Sequence, residues 1–589
     1  MKKWIPNMRK LLCLFLVLTL LLGMSACVNE GLSHSTPSTQ QQPSSTGSAT
    51  VPSSIPTKPT QPTEPTQPTE PTQPTEPTQP TQPTEPPVTP PEDPNALVYT
   101  LTEDEVAEFY RLLDECEGLS IEGLDMEAID ASMAALDEVF EYIDTQCGIA
   151  NVLYYSAMSN EALKQQYLDT VEILTSANDA YIQMARRVYQ SDTPAKDVLF
   201  EGWTQQEIDQ LLAYDERITQ LQQRNSELKV EYENTNNDAL KIQLYIEFVG
   251  NNNEIAQFYG YSNYYDYASE LVYKRDYGTD ELELMRKYVQ KYLAGSVDQA
   301  ILNFQNSFNP LDYNKKNSIV EFLYDDYNAI SVNYVEKYLN QAPGNLGEHA
   351  HQMLEADSLF TNASDAMQGA FTTALGERSY CFFGPGYANS CTVVHEAGHY
   401  YASRYADLNS IPLDLAETHS QGNEWLFMAY LKQRMPVDTH EAIVNYRIYN
   451  DLAMIMICLM VDEFEQIVYT TDLTGFTAED FDEIMNSVCS QYFTPQYCYE
   501  NITDINAYWR LVVVDQPVYY ISYAVSAIAA MDLYTIARED YQKAADIYQK
   551  LCEEPVLEEG YLANIVASGL SSPFDKSFYK ALAAIINGK

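Results

Sequence analysis

From about residue 96 to the C-terminus, apolar side chains recur at intervals of three and four. In the stretches 125–145, 161–190, 204–232, 280–300 and 440–470, Leu, Ile, Met and Tyr keep this spacing, which lines them along one face of a helix. Thr102 with Glu105, and Thr204 with Glu207, form capping-box starts that lead into such runs. Prolines are sparse here and fall at expected helix ends, such as Pro310 and Pro436. No repeat of solenoid period is present, so residues 95–589 are expected to form one large, mainly α-helical domain. The many tyrosines are expected mostly as packing and rim residues.

One stretch breaks the helical period. Residues 369–383 alternate in the manner of a β-hairpin turning at Gly376-Glu377. A Gly-Pro-Gly loop at 384–386 then leads into a helical run from Cys391 to Tyr405.

Before residue 95 the chain is not fold material. Lys2, Lys3, Arg9 and Lys10 precede the apolar run Leu11 to Leu22, which is too short to span a bilayer comfortably. Met24-Ser25-Ala26-Cys27 follows and resembles the lipobox of bacterial lipoproteins. Residues 1–27 are therefore expected as a lipoprotein signal peptide, with Cys27 as the lipidation site and membrane anchor. The alternative is a plain secretory signal with an incidental cysteine. Residues 28–94 are rich in Thr, Pro, Gln and Glu, with too few apolar side chains to offset the entropy of ordering. Such a linker reads either as an extended polyproline tether, at roughly 3.1 Å per residue, or as a plain spacer.

The net charge of −50, from 84 acidic and 34 basic residues, disfavours nucleic acid and anionic membrane surfaces as partners. Ten cysteines show no paired CxxC spacing, which argues against a cysteine-based zinc site. Cys116 with Cys147, and Cys489 with Cys498, are candidate disulfides outside the cell.

The chemistry lies in His395-Glu396-Ala397-Gly398-His399, an H-E-x-x-H pattern within the helical run. Residues four apart share a helix face, so both imidazoles can reach one metal ion, with Glu396 placed as general base. Zinc in a hydrolase takes three protein ligands and leaves one position open to water. After the break at Ser410-Ile411-Pro412, a second helical segment carries Glu417 and Glu424, seven apart and hence on one side. One can ligate the metal while the other bonds a ligating histidine. A strand edge beside such a site suits an extended peptide, bound by strand addition.

The segment from Leu415 to Trp425 resembles the third-ligand helix of the thimet oligopeptidase and oligoendopeptidase F family of zinc metallopeptidases. That helix carries a glutamate, a serine three residues later, and a ligating glutamate seven residues after the first. The resemblance implies His395, His399 and Glu424 as ligands of one zinc ion per chain, with Glu417 bonding a ligating histidine. Asn252 to Asp276 is similar to a family segment with a Gly-Tyr, a paired Tyr and an Arg-Asp. Pro517 to Ala524 is similar to the family's tyrosine motif, which implies Tyr523 first and Tyr520 second as donors to the oxyanion. The hairpin sits where the family keeps its substrate-cradling strands, which implies Gly369, Ala370 and Phe371 as peptide-binding residues. One departure is plain: the family's histidine about ten residues before Tyr523 is Val513 here. His419 reads as a substitute for that donor, as a substrate-binding residue lining the cleft, or as a packing residue.

The implied fold is a helical, zincin-type body with a deep channel and a small sheet beside the zinc helix. The implied activity is zinc-dependent hydrolysis of short unfolded peptides by a monomer at the outer face of a bacterial membrane. The alternative is a catalytically weak or inactive peptide-binding lipoprotein, to which Val513 points. A solute-binding protein of alternating strands and helices is disfavoured by the helical pattern.

Overall fold

The computed structural model describes residues 97–589 except 214–215, 308–328, 377, 494–513, 515 and 588–589. Cys27, the leader and linker, Pro310, Cys498 and Val513 lie outside the described residues. Helices α1 (Glu103–Glu122), α2 (Met126–Ser156) and α3 (Glu161–Gln190) pack on one another. The capping box of α1 is formed, with Thr102 N–H donating to Glu105 Oε2 at 2.7 Å. That of Thr204 and Glu207 is formed as well. The run 280–300 is not one smooth helix. Thr279–Tyr288 continues through a π turn at Val289–Leu293 and a 3-10 turn at Ala294–Ser296 before Val297–Asn306.

The expected hairpin belongs to a three-stranded sheet of β1 (Ser358–Phe360), β2 (Ala370–Leu375) and β3 (Arg378–Phe383), in the order β1-β3-β2. Strand β3 runs parallel to β1 and antiparallel to β2, with Leu375 opposite Arg378 and Phe371 opposite Phe382. Gly376, at φ 64°, supplies the left-handed turn conformation that a two-residue hairpin needs. The strands alternate between two cores. Phe371, Tyr380 and Phe382 pack on Ile149, Val152 and Tyr155 of α2, whereas Ala370, Cys381 and Phe383 join the main core. Strand β2 is an edge. Gly384 N–H donates to Gly369 O at 2.8 Å, so Ala370, Thr372 and Ala374 turn their backbone groups away from β3.

The remaining elements that position the site are α4 (Ser390–Ala402), α5 (Leu413–Leu431), α6 (Val437–Thr470), α7 (Ile521–Glu539) and α8 (Tyr541–Glu553). Helix α5 packs against α4, α7 and α8 and is buried from Glu417 through Leu431, polar residues included. Pro412 and Pro436 occupy the N-caps of α5 and α6, where their missing N–H is harmless. Cys116, Cys147 and Cys489 are free and buried, so the Cys116–Cys147 disulfide is not formed. Among the described residues, no helix is long and apolar enough to cross a membrane.

Candidate metal centre and active site

Asn389 caps α4 by accepting the Thr392 N–H at 2.9 Å, which fixes where the helix begins. Its last turns present His395 and His399 side by side, ring centroids 5.0 Å apart. Helix α5 crosses α4 at Gly398. A Cβ there would lie 2.7 Å from His419 O and 2.8 Å from Ser420 Cα, so only glycine admits this approach. Glu417 and Glu424, about one turn either side of the crossing, therefore reach the same imidazole from opposite ends.

His395 Nδ1 lies 2.8 Å from Glu424 Oε1, while its Nε2 faces Glu417 Oε2 at 3.6 Å. His399 Nε2 lies 3.9 Å from that same Glu417 oxygen. The grouped donors are thus His395, His399 and Glu417, all within 4.8 Å of one another and all buried. Donors around a tetrahedral ion at about 2.1 Å stand about 3.4 Å apart, close to these gaps. Two imidazoles and one carboxylate, with an imidazole Nδ1 held by a second carboxylate, form a chemically fitting set for one divalent ion.

The structure brings both glutamates to the histidine pair. Glu417 joins the imidazole Nε2 atoms, and Glu424 is the partner behind His395. Glu424 Oε2 also accepts from Arg447, whose Nε stands 2.8 Å from Asp451 Oδ1. Asp451 Oδ2 in turn accepts from Trp425 Nε1 at 2.9 Å.

Charge follows the same division. Burial opposes the charged form of His395, yet the bond to Glu424 and the charges of Glu424, Glu417 and Glu396 raise its pKa to about 9. Burial pushes the Glu417 carboxyl up to about 7 despite the neighbouring His395. Burial acts on Glu424 in the same direction, but Arg447 and His395 hold it below the usual value. Burial and the nearby His395 hold His399 well below the ordinary histidine value, hence neutral and able to ligate. Buried carboxylates in excess of buried cations form an environment that a divalent cation would relieve.

Glu396 is fully buried, and Thr372 of β2 donates to its Oε2 at 2.6 Å. The edge strand and the H-E-x-x-H helix are thereby joined at the candidate base. Ala370 and Phe371 lie at the start of this strand and Gly369 just before it.

His419 packs against α8. It is 1% exposed, its Nε2 lies 3.3 Å from Leu551 O of α8, and burial lowers its pKa to about 4. At the crossing its backbone touches α4, and its ring turns toward α8. Tyr520 and Tyr523 are buried at the first turn of α7, with Tyr519 Oη 3.2 Å from Tyr523 Oη. Along α7, Ser526 accepts from Gln421 Nε2 at 3.1 Å, and Tyr534 packs on Trp425 with centroids 4.5 Å apart. The two helices therefore run in the same direction, and the turn carrying Tyr523 lies level with the turn carrying Glu417.

Sequence reasoning missed Thr372 and Arg447. Thr372 gives no sequence signal. Arg447 and Asp451 do: an i,i+4 pair of opposite charges inside the otherwise uncharged stretch 442–461.

Solved structures share this architecture. The chain superposes on Pz peptidase A with inhibitor 2 at a TM-score of 0.64, with 17% identity, over 84% of this chain and 98% of that one. It also superposes on a structure assigned as oligoendopeptidase F from Bacillus anthracis str. Ames at 0.62, with 15% identity, over 84% and 97%. The fold is that of the oligoendopeptidase F and Pz peptidase structures. A further structure assigned to oligoendopeptidase F agrees at 0.62, with 16% identity, over 82% and 96%. The resemblance read in segments between Asn252 and Ala524 thus extends, as fold, over most of the chain. No family model matches the sequence, and no curated protein does.

Proposed function

We propose that the protein is a zinc-dependent metallopeptidase that hydrolyses peptide bonds in short unfolded peptides. The observation that carries this reading is Glu396, buried beside the His395, His399 and Glu417 donors and oriented by Thr372 of an edge strand. A pure peptide binder has no need of a general base there. Solved structures of this fold are named as peptidases, which supports the same reading.

A zinc ion held by His395, His399 and Glu417 would supply Lewis acidity toward a water and the scissile carbonyl. Glu396 takes a proton from the attacking water and returns it to the leaving amine. The peptide adds to the outer edge of β2 through Ala370, Thr372 and Ala374, which brings it alongside the base that Thr372 holds. The Tyr523 phenol, and secondarily that of Tyr520, donates to the oxyanion.

The test is metal analysis of the purified protein combined with an internally quenched peptide library. Stoichiometric zinc and cleavage are expected, with cleavage lost in Glu396→Gln while zinc is retained. Zinc with peptide binding but no cleavage would favour the binding-protein reading, to which Val513 points. The protein acts as a monomer at the outer face of a bacterial membrane, anchored through a lipid on Cys27. Labelling with radioactive palmitate should mark the wild-type protein and not Cys27→Ala.

A further inference from the structure

Among the described residues, two that are not glycine have φ in the left-handed region: Lys274 at 53° and Val518 at 62°. For a β-branched residue such as Val518 this is a true outlier, and strain of this kind persists only where surrounding bonds over-determine it. The two residues meet at one junction. Arg275 Nη2, next to Lys274, donates to Val518 O at 2.8 Å and to Ser522 Oγ at 2.9 Å. Val518 N–H donates to the buried Glu465 Oε1 at 2.9 Å. Tyr273 Oη donates to Pro517 O at 2.8 Å. The corner that opens the tyrosine motif is thus bonded on both sides of Val518 by groups from outside the motif.

The same short strip also grips the ligand helix. Tyr277 Oη donates to Asp414 Oδ2 at 2.7 Å, and Arg275 Nε stands 3.9 Å from Asp414 Oδ1. Asp414 lies in the first turn of α5, three residues before Glu417. Residues 273–277 therefore hold, at once, the turn that bears Tyr519, Tyr520 and Tyr523 and the turn that bears Glu417. A corner that served packing alone would be met without strain by glycine at position 518. Valine is held here against its own preference by the bonds from Arg275, Glu465 and Tyr273, whereas glycine would open further conformations to the corner.

We propose that Arg275 and the strained Val518 form a positioning latch that sets the Tyr520 and Tyr523 phenols relative to the metal-ligand helix. It rests on the reading of Tyr523 as oxyanion donor. Neither latch residue is a catalytic residue, because both act through the phenols.

The test is Val518→Gly, which keeps the backbone donor and acceptor, so the fold is retained, but widens the conformations open to the corner. Turnover is expected to fall about 10-fold or more, with KM changed less than about 2-fold and zinc content unchanged. Arg275→Lys, which loses the forked donor, should act in the same sense. In a Tyr523→Phe background, Val518→Gly should have little further effect on kcat, because the groups it positions are already impaired. Full turnover in Val518→Gly together with a large loss in Tyr523→Phe would overturn the latch and leave the phenol role standing. Full turnover in Tyr523→Phe and Tyr520→Phe would overturn the phenol role, and the latch with it.

Discussion

His395 meets Glu424 through Nδ1, at 2.8 Å, and so keeps Nε2 for whatever binds beside His399. In the proposed site, Glu417 on the Nε2 side would be the ligand and Glu424 the orienting partner. The two glutamates should respond differently to substitution. Glu424→Gln should weaken zinc binding by about 10- to 100-fold, as loss of an orienting partner does. Glu417→Gln should weaken it more and release zinc on dialysis. Competition with a chromophoric chelator measures both. The reverse order would restore Glu424 as ligand.

In the proposed mechanism Thr372 acts on the base. Its hydroxyl bond to a buried carboxylate, at 2.6 Å, is of the charge-assisted kind. Such bonds contribute about 1.5–3 kcal/mol. Thr372→Val should therefore lower kcat by roughly 10- to 100-fold with zinc retained. Thr372→Ser, which keeps the hydroxyl, should restore most of the loss. Equal kcat in wild type and Thr372→Val would remove the bond from the mechanism.

The elements with strong local signals were legible in the sequence. The period of α2, α3 and α6, the hairpin at 369–383 and the H-E-x-x-H helix all follow from spacing and turn residues. The separate partners of the two glutamates were not. Glu417 and Glu424 share a helix face, so periodicity cannot separate them. What separates them is Arg447, 23 residues beyond Glu424 and on another helix, which claims one carboxylate. His419 was ambiguous for a similar reason, since the orientation of its ring is set by α8, more than a hundred residues away. The left-handed corner at Val518 was invisible, because valine ordinarily argues against that conformation.

Glu465 should make stability pH-dependent in a direction opposite to a salt-bridged carboxylate. Burial holds its pKa well above the ordinary value, although the Val518 N–H works against this. The folded protein therefore keeps a proton that the unfolded chain releases above about pH 4.5. Its contribution is full below that pH and is lost as pH rises toward the folded value, by up to about 1.4 kcal/mol per unit. Glu465→Gln keeps an acceptor for Val518 N–H and removes the titration. The variant should match the wild type near pH 4.5 and exceed it increasingly at higher pH, as followed by Tm across a pH series. A constant difference between the two would show that Glu465 does not titrate in this range.

Gly398 fixes the distance between the two ligand helices, and its substitution should show that stability and metal binding are coupled. A methyl group at 398 would meet backbone atoms of His419 and Ser420 at 2.7 and 2.8 Å, so no side-chain rotation can relieve it. The helices must separate by several tenths of an ångström. Overpacking of this kind costs about 1–3 kcal/mol. Glycine is a poor helix former, and alanine in an unhindered helix would gain roughly 1 kcal/mol, so propensity alone predicts the opposite sign. Gly398→Ala should therefore lower Tm. It should also weaken zinc binding, because the imidazoles ride on α4 while Glu417 rides on α5. Gly250, in another helix, is the matched control, because a methyl group added there would meet no atom within 4 Å. Gly250→Ala should raise or leave Tm unchanged and leave zinc affinity intact. A Gly398→Ala protein as stable as wild type would mean that the helices do not approach as closely as described.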